Sequence, residues 1–62
     1  MRESEEERVQ ELHRTILRLG RLRFGPMDET VRDQIEAIRD LKTLEDLLER
    51  LLVVSNWAEL LA

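Results

Sequence analysis

Cysteine and tyrosine are absent from this 62-residue sequence, which also has only one phenylalanine, one tryptophan and one proline. Without cysteine the chain can form neither disulfides nor thiolate metal sites. The scarcity of aromatic residues argues against a β-sheet, because strands favour aromatic and β-branched side chains. A chain this short buries only about 60% of the surface that its unfolded form exposes, so a lone monomer is marginally stable. We therefore expect a single domain, 1–62, that is stabilised by helix packing within the chain, by further packing between identical chains, or by docking onto a larger protein.

Long apolar segments are missing as well. The longest uncharged apolar run covers residues 51–54, whereas a helix that spans a bilayer needs about 18 or more such residues. The N-terminus is acidic, unlike the basic start of a secretion signal. We expect a cytoplasmic protein that does not contact a membrane.

Leucine and glutamate dominate the composition, with twelve and ten copies respectively. This composition is typical of amphipathic helices. The net charge of −4 is unevenly distributed, with −3 in residues 1–7, +4 in residues 8–25 and −5 in residues 26–62. Segments of opposite charge can neutralise each other when helices pack together, within a chain or between chains. The overall acidity argues against nucleic acid as the main partner.

Local signals predict four helices, over about 5–23, 29–39, 41–54 and 57–62. Each follows a residue that can cap a helix, and the first and last caps have glutamate three residues later, as in a capping box; these caps are Ser4, Asp28, Asp40 and Asn56. Gly25 and Pro26 end the first helix, with glycine expected in the left-handed conformation. The predicted fold class is all-α, a small bundle of three helices plus a short C-terminal fourth, completed by oligomerisation.

The apolar faces of the first and third helices are wider than one neighbouring helix requires. On the first helix a stripe with 3-4-3 spacing is flanked by further leucines. On the third, six leucines cover an arc of about 140°, taking about 100° per residue. We therefore expect an oligomer interface that both helices supply, consisting of Val9, Leu12, Ile16, Leu19, Leu22, Leu48 and Leu52.

No constellation in the sequence indicates catalysis, a metal site or a cofactor. His13 is the only histidine and no cysteine can join it, so a metal site would need carboxylates from a second chain. His13 is instead expected at a flanking position of the first helix. The serines lie in cap or turn positions, where hydroxyls normally accept hydrogen bonds from backbone N–H groups. The paired carboxylates of the third helix, Glu45, Asp46 and Glu49, lie opposite its leucines and are expected in solvent. We expect the protein not to be an enzyme.

A short ridge of arginines is the strongest polar feature. Arg14, Arg18 and Arg21 share one face of the first helix, opposite its apolar stripe. Three interpretations remain open, namely contact with phosphate, contact with an acidic face such as that of Glu45, Asp46 and Glu49, and simple solvation. Phosphate contact would make the chain a nucleic-acid-binding accessory domain, which is the alternative function.

Gly20 and Arg23 are unusual positions within the first helix. A glycine inside a helix costs about 1 kcal/mol relative to alanine, which the close approach of another helix could offset. Arg23 falls in the centre of the apolar stripe, where burying an unpaired charge is costly. Either the helix frays by Gly20, or Arg23 meets a carboxylate or emerges beyond the interface.

The order of these elements resembles a small C-terminal helical domain of bacterial recombination-promoting nuclease and transposase-like (Rpn-type) proteins. The resemblance covers about residues 14–62, and its most specific piece is Arg23-Phe24-Gly25. That piece lies within the matching segment 22–26. The other matching segments are 30–38, 40–52 and 55–61. Domains of that family more often have a polar residue and an aromatic one in place of Val53-Val54.

What the resemblance implies is an accessory function. The N-terminal part of Rpn-type proteins is a PD-(D/E)XK nuclease, and this chain has neither its Glu-x-Lys motif nor any lysine besides Lys42. Nuclease activity therefore does not carry over. In that family the C-terminal portion can also be a separate short protein that binds the longer one. The expected function is a non-enzymatic interaction or oligomerisation module whose partners are a second copy and a PD-(D/E)XK nuclease domain.

Overall fold

The computed structural model describes residues 4–62, so the first three residues of the predicted domain 1–62 lie outside it. In chain order its helices are α1 (Glu5–Phe24), α2 (Glu29–Ala37), α3 (Leu41–Leu51) and α4 (Trp57–Leu61). Residues 4–62 contain no strand. The predicted all-α class, with three helices and a short fourth, is confirmed. None of these helices is both long enough and apolar enough to cross a membrane.

The predicted capping residues begin all four helices. Ser4 and Glu7 form a complete capping box, in which each backbone N–H donates to the other residue's side chain at 3.1 Å. The side chains of Asp28, Asp40 and Asn56 each accept a hydrogen bond from the N–H three residues later. In a complete capping box the Glu59 carboxylate would accept from the N–H of the cap, Asn56. It accepts instead from the N–H of the preceding residue, Ser55, at 2.7 Å.

The end of α1 differs from the prediction in one respect. The helix continues through Gly20 to Phe24, so it does not fray. Gly25 has the positive φ that was expected, 92°, but its ψ of −168° is extended rather than left-handed helical. The backbone thus turns sharply away from α1 in a conformation that residues with a Cβ rarely adopt.

Both α2 and α3 are shorter than predicted. After α2 ends at Ala37, Ile38 is extended and its carbonyl accepts a hydrogen bond from the His13 ring at 2.7 Å. After α3 ends at Leu51, residues 52–54 form a turn whose N–H groups donate to the Glu49 and Arg50 carbonyls. Side chains from α1 bind the carbonyls of Ile38 and Val54, so tertiary contacts fix where the chain leaves each helix.

Contacts at both ends of the bundle show that α1 and α3 run parallel. Near the start of both helices, Arg39 lies 3.8 Å from the Glu6 carboxylate. Near their ends, the Arg23 guanidinium donates to the Val54 carbonyl at 2.8 Å. The intervening α2 therefore runs back along α1, and α1 and α3 make the most extensive helix contact in the described part of the chain.

The core contains side chains from all four helices. Its buried apolar members are Val9, Ile16, Ile35, Leu44, Leu47, Leu51, Trp57 and Leu60. The last two belong to α4, which returns along α3 so that Arg50 donates to the Glu59 carbonyl at 2.8 Å. This short helix is therefore an integral part of the core.

Candidate interaction surfaces

Two residues of the predicted oligomer interface belong to the core of a single chain. Val9 is 2% exposed and Ile16 is fully buried, because helices of the same chain cover this stripe. The assignment of Val9 and Ile16 to an interface between chains is therefore corrected, since neither can reach a second copy without unfolding. Leu12, Leu19 and Leu48 are partly buried and pack against the same core.

The remaining predicted interface residues stay exposed. Leu22 is 76% exposed and Leu52 is 63% exposed, and Val53, which the sequence analysis did not assign to the interface, is 79% exposed. The hydrogen bond from Arg23 to the Val54 carbonyl places the end of α1 beside the turn at 52–54. Leu22, Leu52 and Val53 therefore lie at the same end of the bundle, and we call them the apolar patch. The position of Val53 in an uncharged apolar run was the signal that could have identified it.

Arg23 emerges from the apolar stripe instead of being buried in it. Its guanidinium lies 5.5 Å from the centroid of the Phe24 ring and donates to the Val54 carbonyl. Its partners are thus a ring face and a carbonyl, and not the carboxylate that was one of the alternatives. Arg23 joins the end of α1 to the turn that carries two members of the apolar patch.

Gly20 is the point where Trp57 packs against α1. A Cβ added to Gly20 would lie 2.6 Å from Cζ3 and 2.8 Å from Cζ2 of the indole, far inside an ordinary carbon contact. Trp57 donates from Nε1 to the Gly25 carbonyl at 3.1 Å and meets Phe24 edge-to-face, with the ring centroids 5.2 Å apart. The close approach of another helix, which was one of the possibilities left open for Gly20, is therefore what the structure shows.

The basic ridge of Arg14, Arg18 and Arg21 forms one side of an open groove of about 520 Å³. The opposite side comes from α2 and the segment before it, including a fourth arginine, Arg32. The other lining residues are three apolar and two acidic ones, namely Leu17, Pro26, Met27, Asp28 and Glu29. The spacing of the three arginines predicts the ridge, whereas Arg32 could not be assigned to the groove from the sequence, because the approach of α2 depends on tertiary packing.

The carboxylates Glu45, Asp46 and Glu49 are exposed on α3, as expected. Within one chain the structure does not bring them to the basic ridge. Across residues 4–62, the ion pairs involve other side chains, Arg32 with Glu36 and Arg39 with Glu6. In that same range neither the ridge arginines nor these three carboxylates form an ion pair or a side-chain hydrogen bond. Within residues 4–62, both charged faces are exposed and without a partner.

His13 is buried, so the expectation that it flanks the helix was wrong. It lies four residues after Val9 and three before Ile16, on the buried face of α1. Because a carbonyl can only accept, Nε2 carries the proton in the 2.7 Å hydrogen bond to Ile38. The spacing from Val9 and Ile16 was the signal that could have placed it. His13 therefore connects α1 to the end of α2.

The Asp40 side chain caps α3, and the hydrogen bonds of this cap lower the pKa of its carboxyl group. The Thr43 hydroxyl donates to its carboxylate at 2.8 Å and the Thr43 N–H donates at 2.9 Å. These two hydrogen bonds favour the ionised form and lower the pKa of Asp40 from its ordinary value of 3.8. The shift follows from helix capping and does not indicate acid–base chemistry.

Comparisons with protein-family models, with curated proteins and with solved structures find no match for this chain.

Proposed function

We propose that the chain is a non-enzymatic protein-interaction module that self-associates through the apolar patch. The observation that carries this proposal is the exposure of Leu22, Leu52 and Val53 at one end of the bundle. Contiguous exposed apolar surface is typical of interaction sites, and these three side chains lie at the same end of the bundle. Burial of the patch against a second copy would remove these side chains from water.

The patch alone supports only weak association. Full burial of one exposed leucine or valine contributes about 1.5–3 kcal/mol, so the three exposed side chains contribute about 3–6 kcal/mol for each copy that buries its patch, or about 6–12 kcal/mol for two patches buried against each other. Association costs about 4–15 kcal/mol in lost translational and rotational freedom. The neighbouring Leu19 and Leu48, which are only partly buried, are further contacts that a second copy can cover.

Light scattering of the chain over a range of micromolar concentrations tests the proposal. The wild-type chain should give a mass of a dimer or higher oligomer, and Leu22→Ser with Val53→Ser should shift it toward monomer without loss of helical circular dichroism. A matched control replaces exposed alanines outside the patch, Ala37→Ser with Ala58→Ser, and should leave the mass unchanged. A folded wild-type monomer at high micromolar concentration would contradict the proposal.

The proposed hetero-partner is a PD-(D/E)XK nuclease domain, for which the support is the resemblance of residues 14–62 to the C-terminal domain of Rpn-type proteins. The module would then dock onto the nuclease and regulate it. Sedimentation of this chain mixed with a purified Rpn-type nuclease tests the idea. We expect a complex that the patch variant weakens and the alanine control does not. Independent sedimentation of the two proteins would refute the partner.

The basic groove supports a second candidate function, nucleic-acid binding by an accessory domain. Arg14, Arg18, Arg21 and Arg32 line the groove, and the three ridge arginines lack partners among residues 4–62. Such binding should weaken as salt rises, because phosphate contacts release counterions. Fluorescence anisotropy with labelled duplex and single-stranded DNA measures it. No binding at about 50 mM salt would exclude this function, since electrostatic contacts are strong under that condition.

A further inference from the structure

Two faces of opposite charge lie on different helices of the same chain and remain unpartnered within residues 4–62. One is the basic ridge on α1, and the other contains Glu45 and Glu49 on α3. Exposed charges of one sign along a helix face favour a partner with the opposite sign. The chain itself therefore carries a complementary surface for each of its two faces.

The two faces also match in their spacing. Arg14, Leu17, Arg18 and Arg21 lie at positions i, i+3, i+4 and i+7 of α1, and the same spacing relates the residues that we call the acidic strip, Glu45, Leu48, Glu49 and Leu52. This spacing places four side chains on one side of a helix within an arc of about 100°. Leucine lies beside arginine on the first face and beside glutamate on the second.

We propose that the basic ridge of one copy docks against the acidic strip of a second copy. This inference rests on the proposed self-association and specifies the contact that accompanies the apolar patch. Leu52 belongs to both the patch and the acidic strip, and Leu22 is four residues after Arg18. Each charged face is thus continuous with an exposed apolar side chain, so one contact can bury leucines and pair charges together.

A second copy fits the groove better than nucleic acid does. Asp28 and Glu29 line the same groove and repel any anion, but the acidic strip presents only two carboxylates beside two leucines, whereas nucleic acid presents a continuous row of phosphates. On α3, Lys42 lies on the same side as three carboxylates, so that side keeps its negative charge. The apolar lining of the groove, which includes Leu17 and Met27, suits the leucines of an amphipathic helix.

The contact joins different surfaces of the two copies, so a pair is closed as a two-fold dimer only where both ridge-to-strip contacts form between the same two chains. A pair of chains held by one such contact still has a free ridge on one member and a free acidic strip on the other. Assembly can therefore continue beyond a dimer with rising concentration unless the rotation between copies closes a ring. Growth or closure follows from the geometry of this single contact.

Charge reversal tests the inference. We expect Arg14→Glu with Arg18→Glu to weaken self-association about tenfold or more at low salt, because like charges would then face each other. Glu45→Arg with Glu49→Arg should weaken it similarly. An equimolar mixture of the two variants should associate again, since the remaining native ridge and native strip are complementary. Sedimentation velocity measures each case, and circular dichroism confirms that each variant is folded.

The chain that carries all four reversals is the matched control. It has the composition and net charge of the wild type, with the signs of the two faces exchanged. Self-association of this chain at close to wild-type strength would support the inference and exclude a nonspecific effect of charge.

Other outcomes separate the inference from the proposed function. If the wild-type chain associates and neither reversal weakens it, the ridge-to-strip contact is overturned while self-association through the patch stands. If Arg14→Glu with Arg18→Glu abolishes DNA binding but leaves the assembly unchanged, the ridge serves nucleic acid and the inference is likewise overturned. If the wild-type chain is monomeric throughout, both the inference and the proposed self-association are wrong.

Discussion

Replacement of Gly20 by alanine should destabilise the bundle, although alanine is the better helix former. The added methyl group would lie 2.6 Å from Cζ3 of Trp57 and 2.8 Å from Cζ2, and nearer still to Cη2. Carbon atoms in contact are normally about 3.5–4.0 Å apart. The indole cannot simply rotate away, because the Gly25 carbonyl accepts its Nε1 hydrogen bond and Phe24 packs edge-to-face with it. Either the helices separate or Trp57 leaves its site.

The free energies of these contacts set the expected size of the effect. Overpacking costs about 1–3 kcal/mol, and disruption of the hydrogen bond and of the aromatic pair costs about 1 kcal/mol each. Alanine returns about 1 kcal/mol through helix propensity. The net loss in the free energy of unfolding should be about 2–4 kcal/mol, a large share of the roughly 3–9 kcal/mol expected for a domain of this length.

Urea unfolding at a fixed chain concentration measures this loss, with far-UV circular dichroism as the probe for every variant. A double-mutant cycle isolates the contact. In a Trp57→Leu background the steric conflict is removed, so Gly20→Ala should there stabilise the chain by about 1 kcal/mol. A Gly20→Ala chain as stable as the wild type, or one equally destabilised in both backgrounds, would refute the reasoning.

Two further predictions concern buried and capping polar groups. His13→Leu should reduce the free energy of unfolding by about 1–3 kcal/mol, because the Ile38 carbonyl loses its donor, and thermal denaturation should show a smaller loss for His13→Gln, which keeps an N–H donor. For Asp40 the folded-state pKa lies below 3.8, so its stabilising effect is present above about pH 4 and is lost as the pH falls through the folded-state value. Asp40→Asn keeps a capping oxygen but cannot titrate, so urea midpoints measured against pH should decline less steeply in acid for this variant; equal slopes would contradict the Thr43 assignment.

The starts of the four helices and the end of α1 at Gly25 could be predicted from the sequence, whereas the ends of α2 and α3 could not. A capping residue such as Asp28 accepts a hydrogen bond from an N–H only three residues later, so the residues that define the start of a helix are close together in the sequence. The ends of α2 and α3 instead depend on His13 and Arg23, which reach carbonyls 25 and 31 residues along the chain. Periodicity and capping signals extend over only a few residues, so they cannot reveal contacts between residues this far apart in the sequence. Both helices were therefore predicted too long.

The sequence could predict which residues share a helix face, but it could not predict what each face packs against. Periodicity identified the stripe that contains Val9 and Ile16 as apolar, but it could not say whether the same chain or another would cover it. The structure shows that the same chain does. Periodicity likewise placed the arginine ridge opposite that stripe, whereas the addition of Arg32 required the return of α2 along α1.

The packing of Trp57 against α1 leads us to expect that α4 forms late in folding. An isolated segment of five residues is too short to hold a helix in water, so α4 becomes helical only when the indole settles on Gly20. The bond from Trp57 to Gly25 closes a loop of 32 residues, and its acceptor lies at the end of α1. We expect α4 to pack after α1 and α3 have paired. Because Trp57 is the single tryptophan, the change in its fluorescence during refolding should report this last step.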